Sequence, residues 1–353
     1  MKIVIVTDSH FGVRSQSPRF LKQSADFFRS QFFPYLKKVK PSYVIHAGDL
    51  VDNRKYITYE TSRVLRESYI EPMIATGIPN ICIPGNHDAP FKSNIEINAM
   101  REMLPQENFD SFIFPEEMNL GGVNFLFLPW ICKSNEKETM EALEESDADV
   151  VIGHLELFGF EQYRGMPAAH GMGADKFSRF KQVYSGHYHH PSEQGNIRYL
   201  GAPYQMTWGD YDCPRGFHVY DTDTRQIEFI NNPVEMFKRI EYDDSSLTTK
   251  QIMKEDFSKY ADKIVKVVVN KRENKKGFDQ YLDQIEKSGS ADIQIVDNTV
   301  HKLDTLAPPV DEAKQTTLEI MLDCVNEFDD SNDKIALGNL LKELYSEASN
   351  MEV

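Results

Sequence analysis

Short apolar runs recur through the first two thirds of the chain, and a few types of polar residue follow each of them. The first run, at 3–6, is apolar at four successive positions, which is typical of a strand covered on both faces. The segments after the first two runs are longer, with apolar residues spaced as on one helix face. This alternation predicts βαβαβ order, and therefore a parallel sheet with right-handed crossovers. The predicted strands are 3–6, 43–47, 81–83, 123–128, 149–152 and 182–185.

The segments between these strands predict helices and loops. The predicted helices are 18–38, 59–75, 92–104 and 136–146. The first contains Pro34, where a kink is expected. Residues 158–177 are rich in Gly and Pro, which favours a long loop. Three further short strands are closely spaced, which predicts an antiparallel second layer, at 197–200, 217–220 and 226–230.

The character of the chain changes near residue 233. A strand at 264–269, a helix at 278–287 and a strand at 293–296 predict a small separate domain. The segment that follows contains Ala307-Pro308-Pro309 and lacks periodicity, which is typical of a linker. The remainder holds two short amphipathic helical patterns. The predicted division is therefore 1–232, 233–298, 299–316 and 317–353.

Length and charge limit the possible functions. The 353 residues are enough for more than one domain. The formal net charge of −16 argues against a protein that holds nucleic acid by charge alone. Residues 1–60, however, carry ten Lys/Arg against five Asp/Glu, whereas 311–353 carry three against eleven. Much of the acidity is therefore in the tail, where it is typical of a solvated face.

Cysteine spacing and hydropathy indicate a reduced, non-membrane setting. The four cysteines lie far apart without a C-x-x-C pair, at Cys82, Cys132, Cys213 and Cys324. This argues against a disulfide framework and against a thiolate zinc site. No apolar run approaches the length of a membrane span, and the run after Met1 is too short for a signal-peptide core. We therefore expect a cytoplasmic protein without a membrane partner.

Five polar motifs occur in one order, each at the end of a predicted strand. They are Asp8-x-His10, Gly48-Asp49-x-x-Asp52, Gly85-Asn86-His87-Asp88, Gly153-His154 and Gly186-His187-x-His189. Ligands of open α/β sheets bind outside the carboxyl ends of the strands, so all five motifs are expected at one edge. Residues two apart in extended chain point the same way, which aims Asp8 with His10, and His187 with His189. A lone Asp-x-His or Gly-His is often a chance occurrence, but five in order favour a functional site.

The motif residues offer the ligand types of a divalent metal site. Carboxylate, amide oxygen and imidazole suit manganese, iron or zinc better than a thiolate-preferring ion. The candidates are too many for one tetrahedral ion and suit two ions that share a bridge, spaced roughly 3.5–4 Å in two-metal hydrolases. Asp49 is the expected bridge. The remaining histidines are expected to be core, loop or surface residues: His46, His170, His190, His218 and His301.

The motif set resembles that of the calcineurin-like metallophosphoesterases. Within them it is similar to the SbcD-type DNA repair nucleases, most closely the recombination-nuclease subunits of T-even bacteriophages. Gly201-Ala202-Pro203, Pro214-Arg215-Gly216-Phe217 and the overall layout support the resemblance. The phosphoprotein phosphatases of this superfamily usually carry Asp-Arg-Gly in the second motif and His-Glu in the third. Asp52-Asn53-Arg54 and His87-Asp88 argue against that activity here.

The resemblance implies an architecture and a role for each motif residue. It implies a four-layer α/β/β/α nuclease core at 1–232, a small α+β capping, DNA-binding domain at 233–298 and a helical tail at 317–353. It assigns Asp8, His10, Asp49 and His189 to one metal ion, and Asp49, Asn86, His154 and His187 to the other. His87 is implied to be catalytic without binding metal, and we expect Asp88 to orient an imidazole.

The activity implied by the resemblance is more specific than the motifs themselves. It is manganese-dependent (magnesium being the alternative) 3′-to-5′ exonuclease action on duplex DNA, with endonuclease action on single strands. The implied partners are DNA, an SbcC-type coiled-coil ATPase bound by the C-terminal helices, and a second copy of the chain, through helix 59–75 or 92–104. The motifs alone indicate only phosphoester hydrolysis. A small-molecule phosphodiesterase and a non-catalytic scaffold stay as alternatives, although a scaffold predicts lost ligands and none is missing.

Overall fold

A computed structural model describes residues 1–245 and 249–298, and beyond these only Leu322 and Leu341, which are both helical. The expected linker at 299–316 lies outside the described residues. So does the expected helical tail at 317–353, apart from those two positions.

Within the described residues the strands form two six-stranded sheets, one three-stranded sheet and one two-stranded sheet. In chain order they are β1 (Lys2–Val6), β2 (Tyr43–His46), β3 (Asn80–Cys82), β4 (Phe109–Ser111), β5 (Glu116–Leu120), β6 (Val123–Leu128), β7 (Val150–His154), β8 (Glu161–Tyr163), β9 (Met166–Pro167), β10 (Gln182–Gly186), β11 (Ser192–Gln194), β12 (Ile197–Tyr199), β13 (Gly216–Asp221), β14 (Gln226–Asn231), β15 (Phe237–Asp243), β16 (Ile264–Lys271) and β17 (Asp292–Asp297). The first large sheet has the order β14-β13-β1-β2-β3-β4, and the second has the order β11-β12-β10-β7-β6-β5.

Both large sheets are parallel at their centres. In the first sheet β1, β2, β3 and β4 pair in parallel, which confirms the predicted βαβαβ unit. In the second sheet β6, β7, β10 and β12 are parallel. The predicted antiparallel pairing of the late strands is confirmed for β13 and β14, but the prediction that these strands form a layer of their own is wrong. β13 and β14 instead extend the first sheet beyond β1, because the pairing partner of a short strand is not encoded in its own pattern.

Alternating side chains of each strand build four layers. Ile3 and Ile5 face the second sheet, in a core cluster that includes Phe125 and Phe127. Val4 and Val6 face the opposite way, toward the N-terminal helices. The second sheet packs its outer face against Leu143 of the helix Glu136–Glu145. These contacts give the predicted α/β/β/α order.

The two N-terminal helices each contain a π-type turn shortly before a proline. The first runs through Pro18–Phe27, Phe28–Phe32 and Phe33–Val39, and the second through Tyr59–Leu65, Arg66–Ile70 and Glu71–Thr76. Pro34 and Pro72 lack an N–H and clash with the carbonyl four residues back, and a wider turn relieves both effects. The predicted helices 18–38 and 59–75 are therefore continuous.

Two other segments differ from prediction. Only Ala99–Met103 of the predicted helix 92–104 is helical. The side chain of Asn94 accepts a hydrogen bond from Glu96 N, a turn that competes with a helix. Asn98 caps the helix where it begins, by accepting a hydrogen bond from Arg101 N. The predicted loop 158–177 contains the hairpin of β8 and β9 and the short 3₁₀ helix Ala174–Phe177.

The segment predicted to be a small domain contains a parallel sheet of β15, β16 and β17. The short helices Thr249–Ile252 and Phe257–Tyr260 follow β15, and Lys275–Lys287 follows β16, so strands and helices alternate. Phe278 and Tyr281 pack on Val265 and Val267. The proposed boundary at 232/233 falls between β14 and β15. Across it, the Gln205 side chain accepts hydrogen bonds from the backbone N–H groups of residues 236 and 237. In the part of the chain that the structure describes, no helix has both the length and the apolar character needed to cross a membrane.

Candidate metal centre

The loops after the parallel strands run side by side at one edge of the two sheets. Asp8 N donates to Gly48 O at 2.9 Å, and His10 N donates to Asp49 O at 3.1 Å, so the first two motif loops stay paired beyond their strands. In the second sheet Gly186 is paired in register with His154. The structure thus brings all five motifs to one place.

One group of donor atoms comes from the first and last motifs. Asp8, His10 and His189 each offer one ligand atom, and these atoms all lie within 4.8 Å of one another. His10 Nε2 is 2.9 Å from His189 Nε2 and 4.0 Å from Asp8 Oδ1.

A second group comes from the three motifs in between and from His187. Asp49, His154 and His187 again place ligand atoms within 4.8 Å of one another. Asn86 belongs with them, because its Oδ1 lies 3.1 Å from His154 Nε2 and 2.8 Å from His187 Nδ1.

Asp49 lies between the two groups. Its Oδ2 is 3.4 Å from His10 Nε2 and 3.4 Å from His154 Nε2, so a single oxygen faces an imidazole of each group. Its Oδ1 accepts a hydrogen bond from His87 N at 2.8 Å. This is the placement that a bridging carboxylate requires. The assignment of individual ligands stays a prediction.

The imidazoles of His10 and His154 each face an acceptor through Nδ1, the ring nitrogen that points away from Asp49. His10 Nδ1 lies 3.1 Å from Asp52 Oδ1, and His154 Nδ1 lies 2.9 Å from Ala47 O. Such partners fix the tautomer and the orientation of metal-binding histidines. The positioning role of Asp52 was missed from the sequence, although the spacing Gly48-Asp49-x-x-Asp52 was the available signal.

Asp88 has a different role from the one expected. Its carboxylate accepts backbone hydrogen bonds from Gly85, Asp49, Leu50 and Val51, at 2.8 to 3.2 Å, and none of its hydrogen bonds in the described chain is to an imidazole. The prediction that Asp88 orients an imidazole is therefore wrong. Asp88 instead joins the second motif loop to the third. Burial, reinforced by the charge of Asp49, raises the pKa of Asp88 to about 7.

His87 is half-buried beside the first group. Its Nδ1 lies 2.5 Å from the carbonyl oxygen of Asp52, and its ring centroid is 4.8 Å from that of His10. One of its nitrogens also lies within 4.8 Å of donor atoms of His10 and Asp49. The distances alone therefore allow His87 to be either a ligand or a catalytic group.

The backbone at the motifs is strained and tightly packed. Asp8, His10, Asp49 and His187 all have positive φ angles, between 40° and 89°, a conformation that is uncommon for residues other than glycine. Gly48 has φ 101°, and a Cβ there would lie 2.1 Å from His154 Nδ1. The motif therefore needs glycine for conformation and for space.

Each group of donor atoms contains one imidazole with a raised pKa and one with a lowered pKa. Burial lowers the pKa of His10, but the hydrogen bond to Asp52 and the charge of Asp49 outweigh it and raise the pKa to about 9. The charge of Asp49 likewise outweighs burial at His154 and raises its pKa to about 9. Burial and the charge of His154 lower the pKa of His187 to about 3. Burial, followed by the charge of His10, holds the pKa of His189 well below its usual value. Each group thus pairs an imidazole that favours protonation with one that resists it.

The buried carboxylates fit a divalent cation. Asp8 and Asp49 are almost completely buried, and within the described residues their ion pairs are with histidines alone. Burial, reinforced by the charge of Asp49, raises the pKa of Asp8, so the pair needs compensating positive charge. The facing donors are oxygen and imidazole nitrogen, which manganese, iron and zinc accept.

Comparisons with known proteins agree with this chemistry. The family model described as calcineurin-like phosphoesterase matches residues 1–191. Exonuclease subunit 1 of Enterobacteria phage T4 is 33% identical over 350 residues, covering 99% of this chain and 100% of that protein. The SbcD subunit of the nuclease SbcCD from Staphylococcus epidermidis is 26% identical over 259 residues, covering 64% of this chain and 67% of that protein. A solved archaeal phosphodiesterase overlaps only weakly, with a TM-score of 0.34 at 13% identity over 66% of this chain and 100% of that one.

The family match spans more than half of the chain and includes every motif residue, from Asp8 to His189. The relative from phage T4 extends the similarity over almost the whole length. The chain therefore belongs to the calcineurin-like phosphoesterase family, as an SbcD-type phosphodiester hydrolase.

Proposed function

We propose that the protein is a two-metal DNA nuclease, a 3′-to-5′ exonuclease on duplex DNA and an endonuclease on single strands. The observation that carries the proposal is the position of Asp49, whose Oδ2 lies 3.4 Å from an imidazole nitrogen of each donor group. Two related proteins are named as an exonuclease subunit and a nuclease subunit, which supports DNA as the substrate.

The proposed ligands divide into two sets that share Asp49. Asp8, His10, Asp49 and His189 hold one ion, and Asp49, Asn86, His154 and His187 hold the other. The ions, which we propose to be manganese, neutralise the phosphodiester and lower the pKa of water when bound. Asp52 keeps His10 aligned through Nδ1, and the carbonyl of Ala47 does the same for His154.

His87 is the proposed proton donor. Its Nδ1 faces the carbonyl oxygen of Asp52, which can only accept a hydrogen bond, so Nδ1 carries a proton. Nε2 is then the nitrogen that exchanges a proton with the substrate. A protonated Nε2 stabilises the charge that develops on the leaving oxygen and donates to it.

The proposed partners follow from the same relationships. The name of the staphylococcal relative places it in an SbcCD complex, which supports an SbcC-type ATPase as partner here. We place this contact on the C-terminal tail at 317–353. We also propose a symmetric homodimer, through the helix that begins at Tyr59 or the segment around Ala99–Met103.

A nuclease assay on end-labelled DNA tests the proposal. Purified protein with manganese or magnesium is expected to shorten labelled duplex from the 3′ ends and to cut single-stranded circles, and EDTA is expected to stop both reactions. Cleavage of a small phosphodiester without cleavage of any DNA would instead favour a small-molecule phosphodiesterase and overturn the proposal.

A further inference from the structure

Arg54 lies beside the candidate centre, two residues after Asp52. Its Nε donates to Ala89 O at 2.9 Å, and its guanidinium carbon lies 5.2 Å from the centroid of the Trp130 ring. Ala89 directly follows the third motif, and Trp130 N donates to Pro84 O at 2.9 Å, next to the start of that motif. The arginine therefore lies next to both ends of the third motif loop. The carbonyl of Ala89 and the ring face of Trp130 hold it there.

One end of this guanidinium has no acceptor. Arg54 Nη2 is buried without a hydrogen-bond partner, and none of the ion pairs between described residues includes Arg54. Arg215 differs in having a carboxylate partner: it donates to Asp210 Oδ1 at 2.7 Å and to the carbonyl of His189, although its Nε also lacks a partner. A permanently charged group with an unused donor beside a phosphoesterase centre is suited to an anion, and the planar fork of arginine matches phosphate.

Arg54 is near enough to Asp49 for the charge of that carboxylate to favour the charged guanidinium, so a phosphate bound to Arg54 lies close to the scissile one. The scissile phosphate has to contact the donor atoms around Asp49, whereas the contacts of Arg54 are to Ala89 and Trp130. None of the hydrogen bonds of Arg54 in the described chain is to one of the proposed metal ligands. A DNA strand can fill both places at once, with the scissile phosphate at the donor atoms and the neighbouring phosphate at Arg54.

We infer that Arg54 binds a backbone phosphate of the substrate strand next to the scissile phosphate, with Trp130 holding the guanidinium plane. The inference rests on the proposed nuclease function. It makes Arg54 a determinant of substrate length, because an ester with a single phosphate has nothing to place there. Phosphate contacts of this kind position a strand without reading its sequence.

The test compares two substrates and three variants. Arg54→Gln is expected to raise KM for a single-stranded oligonucleotide by on the order of tenfold, the effect of one hydrogen bond to a charged group, with kcat nearly unchanged. The slope of log affinity against log salt is expected to flatten by about one for this variant. Cleavage of bis(p-nitrophenyl) phosphate, which has one phosphate, is expected to be unaffected and also shows that the variant folds. Arg54→Lys keeps the charge without the fork, so it is expected to show a smaller increase in KM.

Arg179→Gln is the matched control, because it removes the same charge from an exposed arginine that pairs with Asp147. The inference is overturned if Arg54→Gln loses equal activity on the oligonucleotide and the small ester, or if its KM for the oligonucleotide is unchanged. The proposed nuclease function stands in either case. If the unaltered protein cleaves the small ester and no DNA, the proposed function fails and this inference fails with it.

Discussion

Asp49 is the residue on which both donor groups depend. Replacing it by Ala removes the oxygen that lies 3.4 Å from both His10 and His154. We expect Asp49→Ala to abolish cleavage and to lower the metal content from about two ions per chain to one or none, because a bridging ligand serves both ions. Elemental analysis of the purified variant measures this directly.

Asp147→Ala provides the control for Asp49→Ala, since its side chain is 98% exposed and the change in charge is the same. The control is expected to keep its metal and its activity. A metal content of two in Asp49→Ala would show that the bridge has been assigned to the wrong residue.

Replacing His87 distinguishes a role in catalysis from a role in metal binding. If His87 donates a proton from Nε2 and binds no metal, His87→Asn is expected to keep both ions and to bind DNA. Its turnover is expected to fall by on the order of 10²–10⁴, the usual effect of losing general acid–base help. Metal analysis beside single-turnover rates tests this. Loss of an ion would make His87 a ligand, as its distance to His10 and Asp49 also allows.

The sequence identified the residues of the centre better than their individual contacts. Asp8, Asp49 and His154 could be grouped because each lies at or just after the carboxyl end of a parallel strand, and such ends meet at one edge. The roles of Asp52 and Asp88 could not be separated in this way. One faces an imidazole and the other faces backbone N–H groups, which depends on how two neighbouring loops turn against each other.

At the level of secondary structure, long elements with a clear period were predictable and short edge strands were not. β6 and the helix Glu136–Glu145 match their predicted bounds closely. β4 and β11 have only three residues each, too few to display a period, and both lie at or near sheet edges. The sheet that β13 joins was also not predictable, because its antiparallel pairing with β1 is a contact between residues about 200 positions apart.

β13 also makes stability depend on pH through His218. This residue is buried, and burial, reinforced by the charge of Arg198, lowers its pKa to about 3. The unfolded chain has the ordinary histidine pKa of about 6.5, so it binds more protons than the folded chain between these values. The contribution of neutral His218 to the free energy of unfolding is therefore fully present above about pH 6.5 and decreases as the pH falls. At pH 5 the decrease is about 2 kcal/mol.

His218→Phe removes this titration and keeps a flat ring beside Phe229. We expect the variant to lose less free energy of unfolding than the unaltered protein between pH 7.5 and pH 5, by about 2 kcal/mol. Urea unfolding at both pH values measures the two differences. Identical pH dependence in both proteins would show that His218 does not contribute.

Charged residues are distributed unevenly along the whole chain. Residues 1–60, which supply the first two motifs, carry a positive excess of five, ten Lys/Arg against five Asp/Glu. Residues 311–353 carry an acidic excess of eight, eleven against three. A polyanion such as DNA is attracted by the first charge pattern and repelled by the second, so the tail is unsuited to hold DNA. Its apolar positions are better suited to a protein partner.

Those apolar positions lead to a prediction about assembly. The sequence pattern of the tail places two short apolar stripes after Pro308-Pro309, at Leu318, Leu322, Val325, Leu340, Leu341 and Leu344. Amphipathic helices without a core of their own commonly bind in a partner's groove, and we propose the base of the ATPase coiled coil as that partner. A chain truncated after Val310 is expected to keep manganese-dependent cleavage of single-stranded DNA, since every proposed ligand precedes the cut. It is expected to lose both co-purification with the ATPase and ATP stimulation of duplex degradation.

A full-length chain with Leu322→Asp and Leu341→Asp tests the same contact without removing the tail. Like the truncated chain, it is expected to lose co-purification with the ATPase and ATP stimulation of duplex degradation, because a buried carboxylate in an apolar interface is strongly unfavourable. Pull-down of the ATPase by each variant, with single-stranded cleavage as the check on folding, gives the result. If both variants bind the ATPase undiminished, the contact lies on the core or the small domain, and the acidic tail has another role.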